Sequence, residues 1–245
     1  MRLSLTAATA LRVLWSLRRD PRTVALLLLV PCILMGLFRW LYDSQPAAFQ
    51  HVGVPLLGIF PLISMFLVSS VTMLRERRSG TLERLLSMPI HKGDIILGYA
   101  GAFGIMAVVQ AALVTLVSTW GFGLDLNGNA GAILGLTVVN AILGMALGLF
   151  VSAFAATEFQ AVQFFPAVIV PQLVLCGIFV PRDVMAAPLR WLSSVFPVTY
   201  AYDGLTRLAG AGRLDGAVAT DVLIVAAFCI AALAAGAVTL RRRTA

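Results

Sequence analysis

Residues 130–154 read AGAILGLTVVNAILGMALGLFVSAF, a stretch without one charged side chain. A helix needs ~20 apolar residues to cross a hydrocarbon core ~30 Å thick, and this stretch supplies them. Backbone groups in lipid must be satisfied within their own segment, so such a run can only be helical there. Working outward, five further runs of the same kind lie at 24–42, 52–74, 97–120, 161–180 and 221–240. The pattern predicts an all-α integral membrane protein with six transmembrane helices.

Composition agrees. The 245 residues are 60% hydrophobic and only 12% charged, with a mean hydropathy of +0.95. A soluble domain carries about twice that share of charge. The runs leave no room for a large soluble domain, so residues 1–245 read as one membrane domain. A net charge of +7 would suggest nucleic acid in a soluble protein. Here the basic residues border the apolar runs and face anionic lipid, so nucleic acid is not an expected partner.

The basic residues alternate between the two sides. Arg2, Arg12, Arg18, Arg19 and Arg22 precede the first run; Arg75, Arg77, Arg78, Arg84 and Lys92 lie between the second and third; Arg241, Arg242 and Arg243 follow the sixth. The other side holds only Arg39, Arg182, Arg190, Arg207 and Arg213. The positive-inside rule then puts both termini in the cytoplasm of a multi-pass protein. Arginine is used almost to the exclusion of lysine, since Lys92 stands alone, and this points to a GC-rich bacterial source and its plasma membrane. No cleavable leader is read, because Arg12 interrupts the first apolar stretch. Cys32, Cys176 and Cys229 all fall inside runs and read as packing residues.

Residues 1–22 read as an amphipathic interfacial helix, with Leu3, Ala7, Ala10, Leu14 and Leu17 on one face and Arg12, Ser16 and Arg19 on the other. Asp20-Pro21 then starts the first span, as N-cap and first helical residue. Pro55 and Pro61 in the second run, and Pro166 and Pro171 in the fifth, predict bends. Gly131-x-x-x-Gly135 and Gly144-x-x-x-Gly148 are candidate close-contact pairs. Residues 181–220 form a long semi-polar segment divided by Pro181, Pro188 and Pro197. It holds two short amphipathic pieces and reads as a re-entrant helical hairpin on the outer side, between the fifth and sixth spans.

Residues 75–96, joining the second and third runs, carry the most specific pattern, RERRSGTLERLLSMPI over 75–90. Gly80 ends the extension of the second helix. Thr81 is placed to cap a short new helix, Glu83 suits its positive end, and Leu82, Leu85 and Leu86 form an apolar stripe. Pro89 stops it. Such a helix suits docking into a groove on a soluble protein, or lying on the membrane surface.

The order E-R-x-x-G-T-L-E-R-L-x-x-x-P after a second span resembles the membrane subunit of ABC-2-type transporters, in particular the daunorubicin-resistance-type and multidrug export permeases. Arg19-Asp20-Pro21, the run Gly177-Ile178-Phe179-Val180-Pro181, and Trp191-Leu192 followed by Pro197-Val198-Thr199-Tyr200-Ala201-Tyr202-Asp203-Gly204-Leu205 extend the resemblance over nearly the whole chain. It implies a cytoplasmic coupling loop at 75–96 contacting an ATPase subunit through the motif residues Glu76, Gly80, Thr81, Glu83, Leu85 and Pro89, and Arg75, Leu82 and Arg84 of the same loop are read as coupling residues beside them. It implies two ATPase copies and a second permease subunit, identical or sister. No G-x-x-x-x-G-K-[ST] loop occurs in the sequence. ATP and Mg are therefore expected on the partner chain, with no cofactor, metal or catalytic residue on this one.

The runs contain no carboxylate or histidine chain of the kind that marks ion paths. Asp94, between the second and third runs, reads as a loop residue. The uncharged polar residues of the runs read either as helix–helix hydrogen bonds or as a sparse lining for a hydrophobic or amphipathic cargo, a drug or a lipid. On the second reading the path includes Met65, Phe66, Ser69, Gln110, Asn140, Gln163, Phe164 and Gln172. In the outer hairpin Trp191, Pro197, Tyr200, Asp203 and Arg207 are candidate gate residues, with Asp203 and Arg207 spaced for a local ion pair. An ion-coupled carrier and a non-catalytic assembly protein are the competing readings. The former wants buried ionisable groups or inverted repeats.

Overall fold

The computed structural model describes residues 3–87, 91–126, 129–211 and 215–239. Among them the helices are α1 (Leu3–Arg18), α2 (Pro21–Leu41), α3 (Pro46–Arg78), α4 (Thr81–Ser87), α5 (Lys92–Leu116), α6 (Ala130–Val151), α7 (Glu158–Val168), α8 (Val170–Leu175), α9 (Ala187–Ser193), α10 (Pro197–Ala211) and α11 (Gly216–Thr239). A π-helical turn, Val117–Gly121, prolongs α5. Six helical stretches are long and apolar enough to cross a membrane: α2, α3, α5 with its π turn, α6, α7 with α8, and α11. The protein is a multi-pass membrane protein.

The spans run alternately up and down. Arg75 at the end of α3 meets Asp20 before α2 and Glu158 at the start of α7, and Arg77 meets Ser152 after α6. These contacts define a basic end of the bundle. α9, α10 and the start of α11 lie at the opposite end.

α3 is the central element and packs most extensively on α6. The contact is close because Gly144 and Gly148 lie on it. A β-carbon at Gly144 would fall on the Leu62 carbonyl, and one at Gly148 on the Phe66 carbonyl and the Ser69 hydroxyl. Ser69 Oγ donates to the Met145 carbonyl at 3.2 Å across the same seam. Small residues permit such backbone approach in membranes, where dispersion and hydrogen bonds replace the hydrophobic drive. Gly131 and Gly135 have open space where their β-carbons would be, so only the second glycine pair marks a helix contact within the chain.

α3 begins earlier than the apolar run. Pro46 opens it, and the connection from α2 shrinks to a few residues. Proline at the first helical position forfeits only a donor that has no partner there anyway. Pro55 and Pro61 lie inside this continuous helix. The fifth span ends earlier than its run. It is broken at Ile169 between α7 and α8 and stops at Leu175. Pro171 lacks the N–H that would bond the carbonyl four residues back. Beyond Leu175, Gly177 takes φ +112°, a conformation L side chains rarely adopt.

Asp20 caps α2, accepting from the Thr23 amide at 3.2 Å and its hydroxyl at 2.6 Å. Thr157 caps α7 reciprocally with Gln160: the Gln160 amide donates to Thr157 Oγ1, and Gln160 Oε1 accepts from the Ala156 amide.

Candidate functional site

The basic end is built on three consecutive residues at the last turn of α3. Each reaches a different element. Arg75 forms a two-pronged pair with Glu158, both bonds 3.0 Å, and stands 3.8 Å from Asp20. Glu76 accepts two 3.1 Å bonds from Arg12 of α1. The same guanidinium donates at 2.5 Å to the hydroxyl of Tyr99, a fully buried residue of α5. Arg77 donates to the Ser152 carbonyl at 3.1 Å and so satisfies an otherwise free acceptor at the end of α6. The tip of α3 is thereby joined to α1, α5, α6, α7 and the entry to α2. The Asp20 carboxyl is held below the usual carboxylate range by the Thr23 hydroxyl and amide, with Arg75 adding to the effect.

This corrects the reading of Arg12. It does not lie on a solvated face of α1; it is turned toward the bundle with Thr9, Val13 and Leu17. Leu11 and Trp15 take the outward face instead, both more than half exposed. The hydrophobic stripe read from the sequence is rotated because α1 packs onto α5, where Gly98 admits Thr9.

The short helix α4 forms where the sequence places it. Gly80, at φ +72°, follows the last turn of α3, and its carbonyl accepts from the Arg84 amide. Gly80 therefore occupies the cap position, and Thr81 is the first helical residue rather than the cap. Leu82 and Leu85 of the apolar stripe of α4 do not point away from the bundle. Leu82 is 3% exposed within a cluster that includes Val13, Leu17 and Ile95, and Leu85 is half-buried against it. Among the described side chains of α4, Arg84 and Ser87 are exposed. Pro89 lies outside the described residues, as do the side chains of Glu83 and Leu86.

The basic end also holds a buried acid. Asp94 is not in a loop. It lies in the first turn of α5, fully buried, and among the described residues neither carboxylate oxygen has a hydrogen-bond partner. The positive end of the helix is the favourable field available to it.

The proposed path residues fall into two groups. Met65, Phe66, Ser69, Gln110, Asn140 and Gln172 are buried in helix contacts. Gln110 Nε2 donates to the Leu27 carbonyl at 2.7 Å and to Ser64 Oγ at 2.5 Å, tying α5 to α2 and α3. Asn140 Nδ2 donates to the Gly58 carbonyl at 2.9 Å. Gln172 Nε2 bonds within its own span to the Val168 carbonyl. Gln163 is exposed and Phe164 half-buried on α7. The buried Gln110 and Asn140 thus join helices, and Gln163 is the path candidate that faces outward.

At the opposite end α10 buries Val198, Ala201, Leu205 and Leu208 against α3, α6 and α11. Pro197 opens α10. The corner before it is fixed by Thr199 donating to the Ser193 carbonyl and by the Tyr200 hydroxyl donating to the Ser194 carbonyl, both 2.7 Å. Trp191 is exposed on α9. Asp203 and Arg207 do not pair with each other. Asp203 accepts from Arg182 at 2.8 Å, and Arg182 also donates to Ser193 Oγ at 3.1 Å. Arg207 pairs instead with Asp221, which is buried inside α11 rather than at a loop boundary. Tertiary partners within reach displace a local pair worth only about 0.3–0.5 kcal/mol. A solvent-open depression of about 350 Å³ is bordered by His51, Arg182, Asp203, Thr206 and Arg207.

The model of the ABC-2 type transporter family matches residues 5–208. The chain is 26% identical over 203 residues to the linearmycin resistance permease protein LnrN of Bacillus subtilis, covering 81% of this chain and 51% of that protein. It is 26% identical over 148 residues to the probable multidrug ABC transporter permease YbhR of Escherichia coli, covering 60% and 40%. It is 28% identical over 134 residues to ABC transporter G family member 20 of Dictyostelium discoideum, covering 55% and 18%. The chain spans about half or less of the length of these relatives. With the order of its spans and the RERRSGTLER stretch between α3 and α5, this match makes the chain a member of the ABC-2 type transporter family.

Proposed function

We propose that this chain is the transmembrane subunit of an ATP-driven exporter of hydrophobic or amphipathic compounds, drug-like or lipid-like, working with a separate ATPase subunit and a second permease subunit. The observation that carries the reading is the tip of α3. It precedes the short helix α4 by two residues, contacts four other elements of the bundle directly, and reaches a fifth, α5, through Arg12. A push on α4 therefore reaches the spans together, which suits a two-state transport cycle powered from outside the membrane domain. Within this reading the basic end faces the cytoplasm of a bacterial plasma membrane, as the arginine distribution indicates. α1 lies along the inner leaflet with Leu11 and Trp15 in lipid. α9 and α10 form the re-entrant outer hairpin. Relatives named for multidrug transport and linearmycin resistance support a cargo of the drug or antibiotic kind.

The face of α4 offered to the ATPase is the one carrying Arg84 and Ser87, since Leu82 and Leu85 pack inward. The reading is tested by reconstituting the permease in lipid with candidate P-loop ATPases and measuring cargo-stimulated hydrolysis. Glu83→Arg combined with Arg84→Glu is expected to abolish stimulation while the protein still inserts and purifies. Normal coupling in that variant, or cargo movement by the permease alone, would refute the proposal.

A further inference from the structure

We propose that Asp203 and Arg207 of α10 are a partner-exchange latch on the outer side: bound to Arg182 and Asp221 they hold the outlet shut, and bound to each other they release it. The inference rests on the exporter reading and names the device at its exit.

The two residues stand one turn apart on α10, a spacing at which opposite charges meet on a helix surface. In the structure each is drawn away by a partner on a different element. Asp203 holds Arg182, on the chain that leaves α8 through the glycine at φ +112°. Arg207 holds Asp221, inside the final span. One helix thus fastens both the chain leaving α8 and the start of α11. The apolar stripe of α10, Val198, Ala201, Leu205 and Leu208, anchors it in the bundle, so the fasteners rather than α10 itself are free to change.

Space and solvation set the conditions for exchange. Arg182, Asp203 and Arg207 border one solvent-open depression of about 350 Å³, so their side chains can move there without displacing the core. The exchanged state leaves Arg182 and Asp221 to water. The Asp221 side chain is only 7% exposed here, and an unpaired buried charge is strongly disfavoured. The latch therefore rests closed while Asp221 is shielded and opens only as water reaches it. Unlatching and wetting are one event.

The test follows hydrogen exchange in the purified permease in lipid nanodiscs, which requires neither cargo nor ATPase. Asp221→Asn frees Arg207 to take Asp203, leaving Arg182 without its carboxylate partner and with only the Ser193 hydroxyl. Amides of residues 182–196 are expected to exchange about tenfold faster or more, although Asp221 bonds to none of them. Adding Arg207→Gln removes the competitor and leaves no unpaired carboxylate. The double variant is expected to return residues 182–196 to wild-type protection. If Asp221→Asn does not fold, Asp221→Ser carries the same expectation, with the same second substitution. Unchanged exchange in the single variant, or a double variant as fast as the single, would overturn the latch. Neither result bears on whether the chain is an exporter, which the reconstitution with ATPase decides.

Discussion

The two ends of the bundle use similar chemistry in opposite arrangements. At the basic end one helix tip holds many neighbours: Arg75, Glu76 and Arg77 are consecutive and reach α7, α1 with α5, and the end of α6. At the other end the ion pairs are separate, Arg182 with Asp203 and Arg207 with Asp221, and each fastens one element. A hub transmits a displacement to everything it touches. Independent fasteners let elements come away singly. On the exporter reading proposed above, the difference suits an input that acts on the whole bundle and an exit that opens locally.

The comparison depends on α3 as a shared spine, so the largest effect should come from splitting its seam with α6. Gly144→Val places a β-carbon on the Leu62 backbone. Overpacking of this kind costs about 1–3 kcal/mol or more, and folded protein should be lost on size exclusion in mild detergent. Next is the hub. Glu76→Ala strands the Arg12 guanidinium beside Tyr99. Breaking a fully buried pair costs about 3–5 kcal/mol, but the Arg12 side chain is 34% exposed, and screening reduces the figure to about 1–3 kcal/mol. Thermal unfolding should show it, and limited proteolysis should cut α1 first. If α1 stayed protected, the hub description would fail for that arm. Asn140→Leu removes a bond to the Gly58 carbonyl and should cost about 1 kcal/mol, the range of membrane-embedded hydrogen bonds. Gln163→Leu, on an exposed face of α7, should leave stability unchanged and alter transport alone. Equal stability losses in the two amide variants would erase the distinction between joining and path-facing residues.

The smallest expected effect concerns pH. The Asp20 carboxyl sits below its ordinary range in the folded protein, first through the Thr23 hydroxyl. A depressed folded pKa adds stability that is present above the unfolded value near 3.9 and lost as pH falls through the folded one. Between pH 5 and 8 this group should contribute no slope. Below about pH 4 its contribution should disappear. Asp20→Asn should remove that acid limb and leave neutral-pH stability within about 0.5–1 kcal/mol, measured as melting temperature against pH.

The spans are legible in the sequence because hydropathy acts over twenty residues at a time and single errors average out. The cap at Asp20 and the turn at Gly80 are legible because one residue type meets the local need. Rotations about helix axes are not. The burial of Arg12 and of Leu82 depends on where α1 and α4 meet α5, through Gly98 and the cluster around Ile95, and no local pattern encodes that. The ion pairs of Asp203 and Arg207 are hidden for the same reason. Their spacing announces a local pair, whereas their partners stand 21 residues back and 14 residues on. Thr157-x-x-Gln160 does carry a local capping signal, but an uncharged one, which does not stand out beside the apolar run that follows.

α3 spans 33 residues. At 1.5 Å per residue the helix is about 50 Å long, well beyond the ~30 Å of hydrocarbon around it. A rod of that length pivoting near its middle by about 5° swings each tip by about 2 Å, roughly the margin between a made hydrogen bond and a broken one. Tilts of a few degrees in this one helix would thus be read out as discrete bonding changes at two remote places.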